Sequence, residues 1–494
     1  LSLSVMTTSC SDDDEGGTDP NGGVTEPIDD LDGDGVADAQ DDDRDGDGAD
    51  NVFDPDPESA NDDIDGDGVP NADDDDIDGD GVANVDDDNP QILTGLAADA
   101  DAWTTSVEEG QQTVGADVSV FGWSYTASQI AGDIDGLNDE NVTTEIANTQ
   151  EADTISGSIT ADETWTNDRF WKLNGKVYVE DGATLTINPG TIVKGLPSSG
   201  DNASALVVAQ GGKLIADGTA EQPIIFTAEE DNIALGETFG TNLTVDDRQK
   251  WGGVLVLGRA PGSFKGNVTE IQIEGIPSDE PGLYGGNDPA DNSGTLNYVS
   301  IRHGGAVIGA DNEINGLTLG GVGTGTQVSN IEVVANLDDG IEWFGGTVNS
   351  SNVLVWGSGD DGLDLDEAYS GTVSNAATIQ ENVSDHAFEI DGPAGSTQDS
   401  FTIENATMFG DSSSESGTTT GNREYVDLRD GARCTLKNIY AFGFLPGSDV
   451  ELDDDDSANN YKDGNITFEN WEIAYPEGDD NSVMWNNTTD VTIE

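Results

Sequence analysis

Four short segments within residues 29–90 carry oxygen-bearing side chains at one repeated spacing. Counted from the first aspartate of each segment, an Asp or Asn stands at positions 1, 3, 5, 9 and 12, and a glycine stands at position 6. Ca²⁺ takes about six to eight oxygen ligands, and alternate positions of a tight loop can face one ion. The residue at position 7 can add its backbone carbonyl. The spacing therefore predicts several bound Ca²⁺ ions.

The predicted ligands are Asp30, Asp32, Asp34, Val36, Asp38 and Asp41 in the first loop; Asp43, Asp45, Asp47, Ala49, Asn51 and Asp54 in the second; Asp63, Asp65, Asp67, Val69, Asn71 and Asp74 in the third; and Asp76, Asp78, Asp80, Val82, Asn84 and Asp87 in the fourth.

The surroundings of these loops distinguish two kinds of calcium site. No helical pattern flanks the loops, which argues against paired EF-hands. Their starts alternate short and long intervals, and in this the segment resembles thrombospondin type 3 repeats, in which the chain wraps around a row of calcium ions. Apolar residues are too few for a core and the carboxylates repel one another, so we expect calcium to fold the segment. The alternative is a disordered acidic tail.

An excess of acid extends over the whole chain. The 494 residues include 101 Asp and Glu against 16 Lys and Arg, for a formal net charge of −85. This charge argues against nucleic acid as a partner, because phosphate recognition needs a basic surface. It also argues against docking on anionic membranes. Divalent cations are the natural counter-charge, and the alternative is a solvated surface suited to high salt.

The first residues of the chain resemble an export signal. Residues 1–10 resemble the end of a signal peptide with a lipobox before Cys10, although Thr7 stands where a lipobox usually has leucine. The acidic linker of residues 11–28 begins like the export tag of surface lipoproteins in some Gram-negative bacteria. We therefore expect an extracellular or outer-surface location, with the membrane contacted only through a lipid on Cys10. The alternative is an ordinary N-terminal strand. Only Cys434 could pair with Cys10, so no disulfide framework is expected.

Residues 165–494 consist of short runs of alternating apolar residues separated by Gly, Asn and Asp. Three such runs make one repeat, as in Lys176–Val179, Ala183–Ile187 and Pro189–Val193, and no helical pattern intervenes. This period predicts an all-β fold, a right-handed parallel β-helix.

An asparagine precedes a strand-like run seven times in the second half of the chain. Stacked at the spacing of neighbouring strands, these amides would form a hydrogen-bonded ladder. They are Asn297, Asn330, Asn352, Asn375, Asn405, Asn438 and Asn470.

A second set of runs carries an acid between apolar residues. With the apolar residues pointing inward, the acids are expected to form outward columns with carboxylates ~4.8 Å apart. Like charges at this spacing are unfavourable unless protons or cations intervene. We interpret this face as a weaker metal site or a polysaccharide-contact surface; the alternative is a hydrated acidic face. The residues are Glu342, Asp364, Glu389 and Asp427 in the first column, Asp366 and Asp391 in the second, and Asp338, Asp339, Asp360, Asp361 and Asp385 at the preceding turn.

Several glycine-rich motifs recur between these runs. They are Trp251–Gly253, Tyr284–Gly286, Ile301–Gly305, Asn312–Leu319 and Asp338–Gly346. With them, residues 165 to about 445 resemble a widespread but poorly characterised bacterial family of secreted and surface β-helix lipoproteins. The resemblance implies the fold and export, and it implies no settled activity.

Two stretches bordering the β-helix carry further expectations. Residues 91–164 connect the calcium loops to it, and Trp103, Trp123 and Tyr125 suggest a small packed unit there. Asp490–Glu494 alternate like a strand with no obvious cap. A β-helix that ends in this way exposes a sheet edge, so we expect either that the sequence is a fragment or that the edge pairs with another subunit.

Two function classes remain open from the sequence. Many parallel β-helices cleave acidic polysaccharides, and Asp360, Asp361 and His386 are the catalytic candidates for a lyase or hydrolase acting on extracellular glycans. Against this reading, a surface of this charge repels uronate polymers. The favoured prediction is a calcium-dependent extracellular structural or adhesive protein, and whether it is an enzyme stays open. It would self-associate into a coat, filament or tube, with a surface glycan as a further candidate partner.

Overall fold

A computed structural model describes residues 95–140, 143–308, 313–411, 424–476, 478–489 and 491–493. The predicted signal peptide, acidic linker and calcium loops lie outside the described residues, so their predictions stand untested.

Strands form most of the regular structure in these ranges. The helices are α1 (Gly95–Ala100), α2 (Tyr125–Ile130), α3 (Asp455–Lys462) and α4 (Asn481–Met484), with 3₁₀ turns at Val118–Phe121 and Gly200–Asn202. No helix in the described ranges combines the length and the apolar character needed to cross a membrane.

The strands of the first half are β1 (Thr104–Ser106), β2 (Asp153–Ile159), β3 (Glu163–Trp165), β4 (Phe170–Val179), β5 (Thr184–Ile187), β6 (Ile192–Gly195), β7 (Ala205–Val208), β8 (Lys213–Asp217), β9 (Ile224–Ala228), β10 (Val254–Leu257), β11 (Ile271–Gln272), β12 (Leu283–Tyr284) and β13 (Gly294–Arg302). Those of the second half are β14 (Leu317–Gly320), β15 (Gln327–Val334), β16 (Ile341–Phe344), β17 (Ser350–Trp356), β18 (Leu363–Asp366), β19 (Thr372–Ile379), β20 (His386–Asp391), β21 (Phe401–Phe409), β22 (Glu424–Arg429), β23 (Cys434–Phe442), β24 (Val450–Leu452), β25 (Ile466–Ala474) and β26 (Trp485–Asn487).

Parallel pairing between successive coils builds a right-handed parallel β-helix with three faces, as the sequence period predicts. Face A stacks β7, β10, β14, β16, β18, β20, β22, β24 and β26. The first parts of β13, β15, β17, β19, β21, β23 and β25 form face B, and their second parts form face C. The stack begins at β2, which pairs with β4 ahead of the boundary predicted at residue 165.

Apolar side chains at alternate strand positions fill the interior of every coil. On face A, Leu363 and Leu365 of β18 lie between the aligned pairs of β16 and β20, and each is completely buried. Trp343 and Trp471 are equally inaccessible. Because the middle residue of each run then points away from this core, face A presents its acids on the outside.

The asparagine ladder forms at the corner between faces B and C. Five side-chain hydrogen bonds link Asn330 to Asn297, Asn352 to Asn330, Asn375 to Asn352, Asn438 to Asn405, and Asn470 to Asn438. The six asparagines that follow Asn297 have φ between +52° and +57°, a left-handed conformation that asparagine tolerates. Asn297 itself lies one residue out of this series, because strand register places Tyr298 at that corner.

The aromatic residues predicted to form a small packed unit in residues 91–164 pack against the β-helix. Trp123 makes an edge contact with Tyr298, and Tyr125 packs against Trp356. The segment holding these residues is fastened to face C by Glu332, which accepts hydrogen bonds from the backbone of Tyr125 and Thr126. The rings of Trp123 and Tyr125 are therefore packed, and their partners on the β-helix are contacts that sequence reasoning could not identify.

The last coil is capped on one face by upstream residues of its own chain. On face C, β1 pairs in parallel with β25, aligning Thr104 with Trp471. Trp103 stacks on Phe468 at a ring distance of 5.5 Å and meets Trp485 edge-on. Residues far upstream thus cover face C of the last coil, and the pairing of the Asp490–Glu494 edge with another subunit stays a prediction.

Candidate functional site

The outward column of face A changes character along the β-helix. At its beginning the aligned residues Tyr178, Val207 and Leu255 are apolar, and they are covered by a segment that includes Phe264 and Tyr284. Beyond Thr318 the column is acidic, because strand register aligns the acids of five successive coils. They are Glu342, Asp364, Glu389, Asp427 and Glu451.

A second column runs beside the first, two residues ahead of each strand's first inward side chain. Its members contact one another: the backbone N–H of Asp361 donates to Asp339 Oδ1, and the backbone N–H of His386 donates to Asp361 Oδ1. Glycines make this stacking feasible, since a Cβ on Gly340 would lie 2.6 Å from the carbonyl oxygen of Gly362. The column comprises Asn315, Asp339, Asp361, His386 and Glu424.

A third column lies on the other side of the first and contains the predicted Asp366 and Asp391. Arg429 is aligned with Asp391 across β20 and β22. Its guanidinium donates from Nε to Asp391 Oδ1 at 2.6 Å, and its Nη1 lies 2.6 Å from Glu389 Oε1. The three columns and their turn residues constitute what we call the acidic face: Asn315, Asp338, Asp339, Glu342, Asp360, Asp361, Asp364, Asp366, Asp385, His386, Glu389, Asp391, Glu424, Asp427, Arg429, Asp449, Glu451 and Asp453.

The central acids are buried although they point away from the core. Glu342, Asp364, Glu389 and Asp427 are between 5% and 8% exposed, because neighbouring columns pack against them. A hydrated acidic face, the alternative reading of the sequence, does not describe these four residues.

Burial and mutual repulsion hold these carboxyl groups toward their protonated form. Loss of solvent contact is the main cause, and neighbouring carboxylates add to it, so the pKa values of Glu342 and Asp364 are raised well above their ordinary range. The same causes raise the pKa of Asp338 to about 8 and that of Asp360 to about 6. Without a cation, the face therefore retains protons near neutral pH.

His386 behaves differently from the acids around it. Its Nδ1 lies 2.9 Å from Asp361 Oδ1. Burial lowers the pKa of His386, but the hydrogen bond and the negative charge of Asp361 outweigh it and raise that pKa to about 9. The imidazolium is thus an internal counter-ion. Of the sequence's catalytic candidates, the structure brings Asp361 and His386 into contact and places Asp360 at the adjoining turn.

Four groups on this face hold ligand atoms within 4.8 Å of one another. One group combines Asp361, His386 and Glu389, and the others contain carboxylates alone. Carboxylate oxygens suit hard cations such as Ca²⁺ and Mg²⁺. Two buried acceptors, Asp364 Oδ1 and Asp427 Oδ1, have no hydrogen-bond partner among the described residues, as expected of oxygens that bind a cation. The carboxylate-only groups are Asp338 with Asp339 and Asp360, Asp339 with Glu342 and Asp364, and Asp427 with Glu451 and Asp453.

Sequence reasoning missed several members of the face. Arg429 lies two residues after Asp427, so the same alternation that aligned Asp427 could have placed it. Glu451 and Asp453 belong to the next coil and share the alternation. Asn315 offered no signal, because its amide becomes part of the face only through its contact with Glu342.

Residues 157–493 match the protein family described as a pectate-lyase-like β-helix domain. The matched range contains every strand from β3 to β26 and the entire acidic face. No curated protein and no solved structure matches the chain.

Proposed function

The chain belongs to the pectate-lyase-like β-helix domain family, and from this premise we propose that it is a calcium-dependent extracellular structural or adhesive protein. The supporting observation is the acidic face, in which buried carboxylates of successive coils are aligned with few cationic partners. Within the described part of this face the basic side chains are His386 and Arg429, and each is already engaged by carboxylates.

Calcium would have two roles in such a protein. In the predicted loops of residues 29–90, which resemble thrombospondin type 3 repeats, it would order the chain. On the β-helix it would neutralise the face and bridge subunits, because a net charge of −85 otherwise opposes close approach. We propose self-association into a coat, filament or tube on the outer surface of a Gram-negative bacterium, with Cys10 lipidated and a surface glycan as a further partner.

Sedimentation velocity of the full chain tests this proposal. We expect larger species in Ca²⁺ and a monomer in EGTA, because the chelator restores the repulsion between subunits. NaCl at matched ionic strength is the control, since screening alone would act equally with either salt. The same monomer in Ca²⁺ and EGTA would contradict self-association.

Polysaccharide cleavage is the second candidate, and one observation favours it besides the family. A groove of about 480 Å³ beside the acidic face is lined by Asp246, Arg248, Asp360 and Asp385, so a basic side chain faces carboxylates there. Hydrolysis would need a proton donor for the leaving oxygen and a carboxylate to activate water. Asp360, whose pKa is raised to about 6 chiefly by burial, is the proton donor that the groove offers.

Incubation with a panel of acidic and neutral polysaccharides distinguishes the two candidates. We expect no new reducing ends and no unsaturated uronate product, because the His386 and Arg429 charges are already neutralised internally. Asp360→Asn is the matched variant: cleavage by the native chain that is lost in this variant would establish the enzyme and reject a purely structural role.

A further inference from the structure

One of the carboxylate groups differs from the others by being enclosed. Asp339, Glu342 and Asp364 have ligand oxygens within 4.8 Å of one another, and all three residues are between 5% and 7% exposed. They come from two adjacent coils, since Glu342 of β16 is aligned with Asp364 of β18. Asn315, from the coil before, donates its amide N–H to Glu342. Three consecutive coils therefore meet at this point.

Unsatisfied acceptors provide an observation independent of the acid cluster. Asp364 Oδ1 and the carboxamide oxygen of Asn315 are buried and have no hydrogen-bond partner. Asn315 is 1% exposed, so water does not reach this oxygen freely. A buried acceptor left unpaired is unfavourable, and two such oxygens beside three carboxyl groups indicate a missing positive partner.

Among the residues that the structure describes, no basic side chain is paired with this cluster. The charges that act most strongly on Asp339, Glu342 and Asp364 are those of other acids, Asp338, Glu274 and Asp391 among them. The two basic residues of the acidic face pair with other carboxylates: His386 with Asp361, and Arg429 with Glu389 and Asp391.

We propose that Asp339, Glu342, Asp364 and the carboxamide oxygen of Asn315 bind one Ca²⁺ ion inside the acidic face, separate from the loops of residues 29–90. The donors are all oxygens, which selects a hard cation over Zn²⁺ or copper. The ion joins three successive coils and neutralises a cluster that otherwise opposes their stacking. This inference rests on the proposed calcium dependence and gives it a defined location.

Terbium luminescence of the full chain tests the site, because Tb³⁺ is also a hard, oxygen-seeking ion. Trp343 follows Glu342 directly in β16, so tryptophan excitation transfers energy to an ion bound here. Residues 29–90 contain no Trp or Tyr, and ions in those loops are therefore not sensitised from within their own segment. We expect sensitised emission in the native chain and its displacement by Ca²⁺.

Two matched Asp-to-Asn variants locate the ion. Asp364→Asn removes one ligand charge and is expected to weaken Tb³⁺ binding by about tenfold or more, since even outer-shell changes reach that size. Asp181→Asn removes the same charge from an exposed position, where the side chain is 74% accessible, and is expected to bind as the native chain does. No sensitised emission in the native chain, or equal binding by both variants, would overturn the site.

A melting measurement distinguishes loss of the ion site from misfolding of the variant. In EGTA, Asp364→Asn is expected to melt at or above the temperature of the native chain, because it replaces a buried carboxyl group, which must hold a proton there, by a neutral amide. It should lose the Ca²⁺-induced rise in Tm that the native chain shows. A Ca²⁺-induced rise that persists undiminished in the variant counts against the site. Sedimentation measures self-association and not ion binding. A chain that binds Tb³⁺ but stays monomeric in Ca²⁺ would therefore support the ion site and contradict the proposed assembly.

Discussion

In EGTA, raising the pH from about 4 to about 8 is expected to lower the Tm of the β-helix markedly, and adding Ca²⁺ at pH 8 is expected to restore it. The carboxyl groups responsible have folded-state pKa values above their unfolded values. Their stabilisation is therefore present below the unfolded pKa and is lost as the pH rises through the folded pKa. Burial chiefly raises the pKa of Asp427 to about 6, that of Glu451 to about 7, and those of Asp338 and Glu424 to about 8.

The loss should be on the order of several kcal/mol, since one unit of pKa corresponds to about 1.4 kcal/mol and several groups shift together. His303 opposes this trend at low pH. Burial lowers its pKa to about 4, so its contribution is lost as the pH falls from about 6.5 to about 4. Thermal melts across this range, with and without Ca²⁺, measure both effects. A Tm in EGTA that is constant or rises from pH 5 to pH 8 would contradict the predicted electrostatics of the face.

Replacing Glu332 by alanine is expected to lower the free energy of unfolding by about 3–5 kcal/mol, because it leaves the Arg302 charge buried and unpaired. Arg302 and Glu332 are 1% and 0% exposed, with Nη2 and Oε2 3.7 Å apart. The variant also removes the acceptor for the backbone N–H groups of Tyr125 and Thr126, which hold the covering segment on face C. Denaturant unfolding measures the loss, and limited proteolysis reports detachment of that segment.

Glu469→Ala provides the matched control for this change. Glu469 pairs with Lys437 at 2.8 Å on the surface, with side chains 49% and 42% exposed. Solvent screens that pair, so its removal is expected to cost about 0–1 kcal/mol. Similar losses in the two variants would show that Glu332 does not anchor the covering segment.

Much of the β-helix could be predicted from the chain because its rules are local. Alternation of inward and outward side chains is set within one strand, and the asparagine corner recurs once per coil. These two periods are sufficient to align Glu342 with Asp364 and Glu389, as the strand register confirms. Asn297 joins the ladder as an acceptor but lies one residue before the corner, a displacement that the period alone does not reveal.

Contacts between distant parts of the chain could not be predicted from residue spacing. The hydrogen bonds from Tyr125 to Glu332 and from Thr113 to Glu472 join residues 207 and 359 positions apart. Through these contacts, residues of the connecting region cover face C, and β1 caps the last coil. Burial of the acids is likewise set by side-by-side packing of three columns, and no single strand carries that information.

The parallel β-helix, the identity of the stacked acids and the calcium spacing of the loops all follow from residue spacing along the chain, and could therefore be predicted without a fold. Which of the stacked acids are enclosed, and which have a cationic partner, became known only from the folded chain, because burial and neutralisation depend on neighbours supplied by other coils.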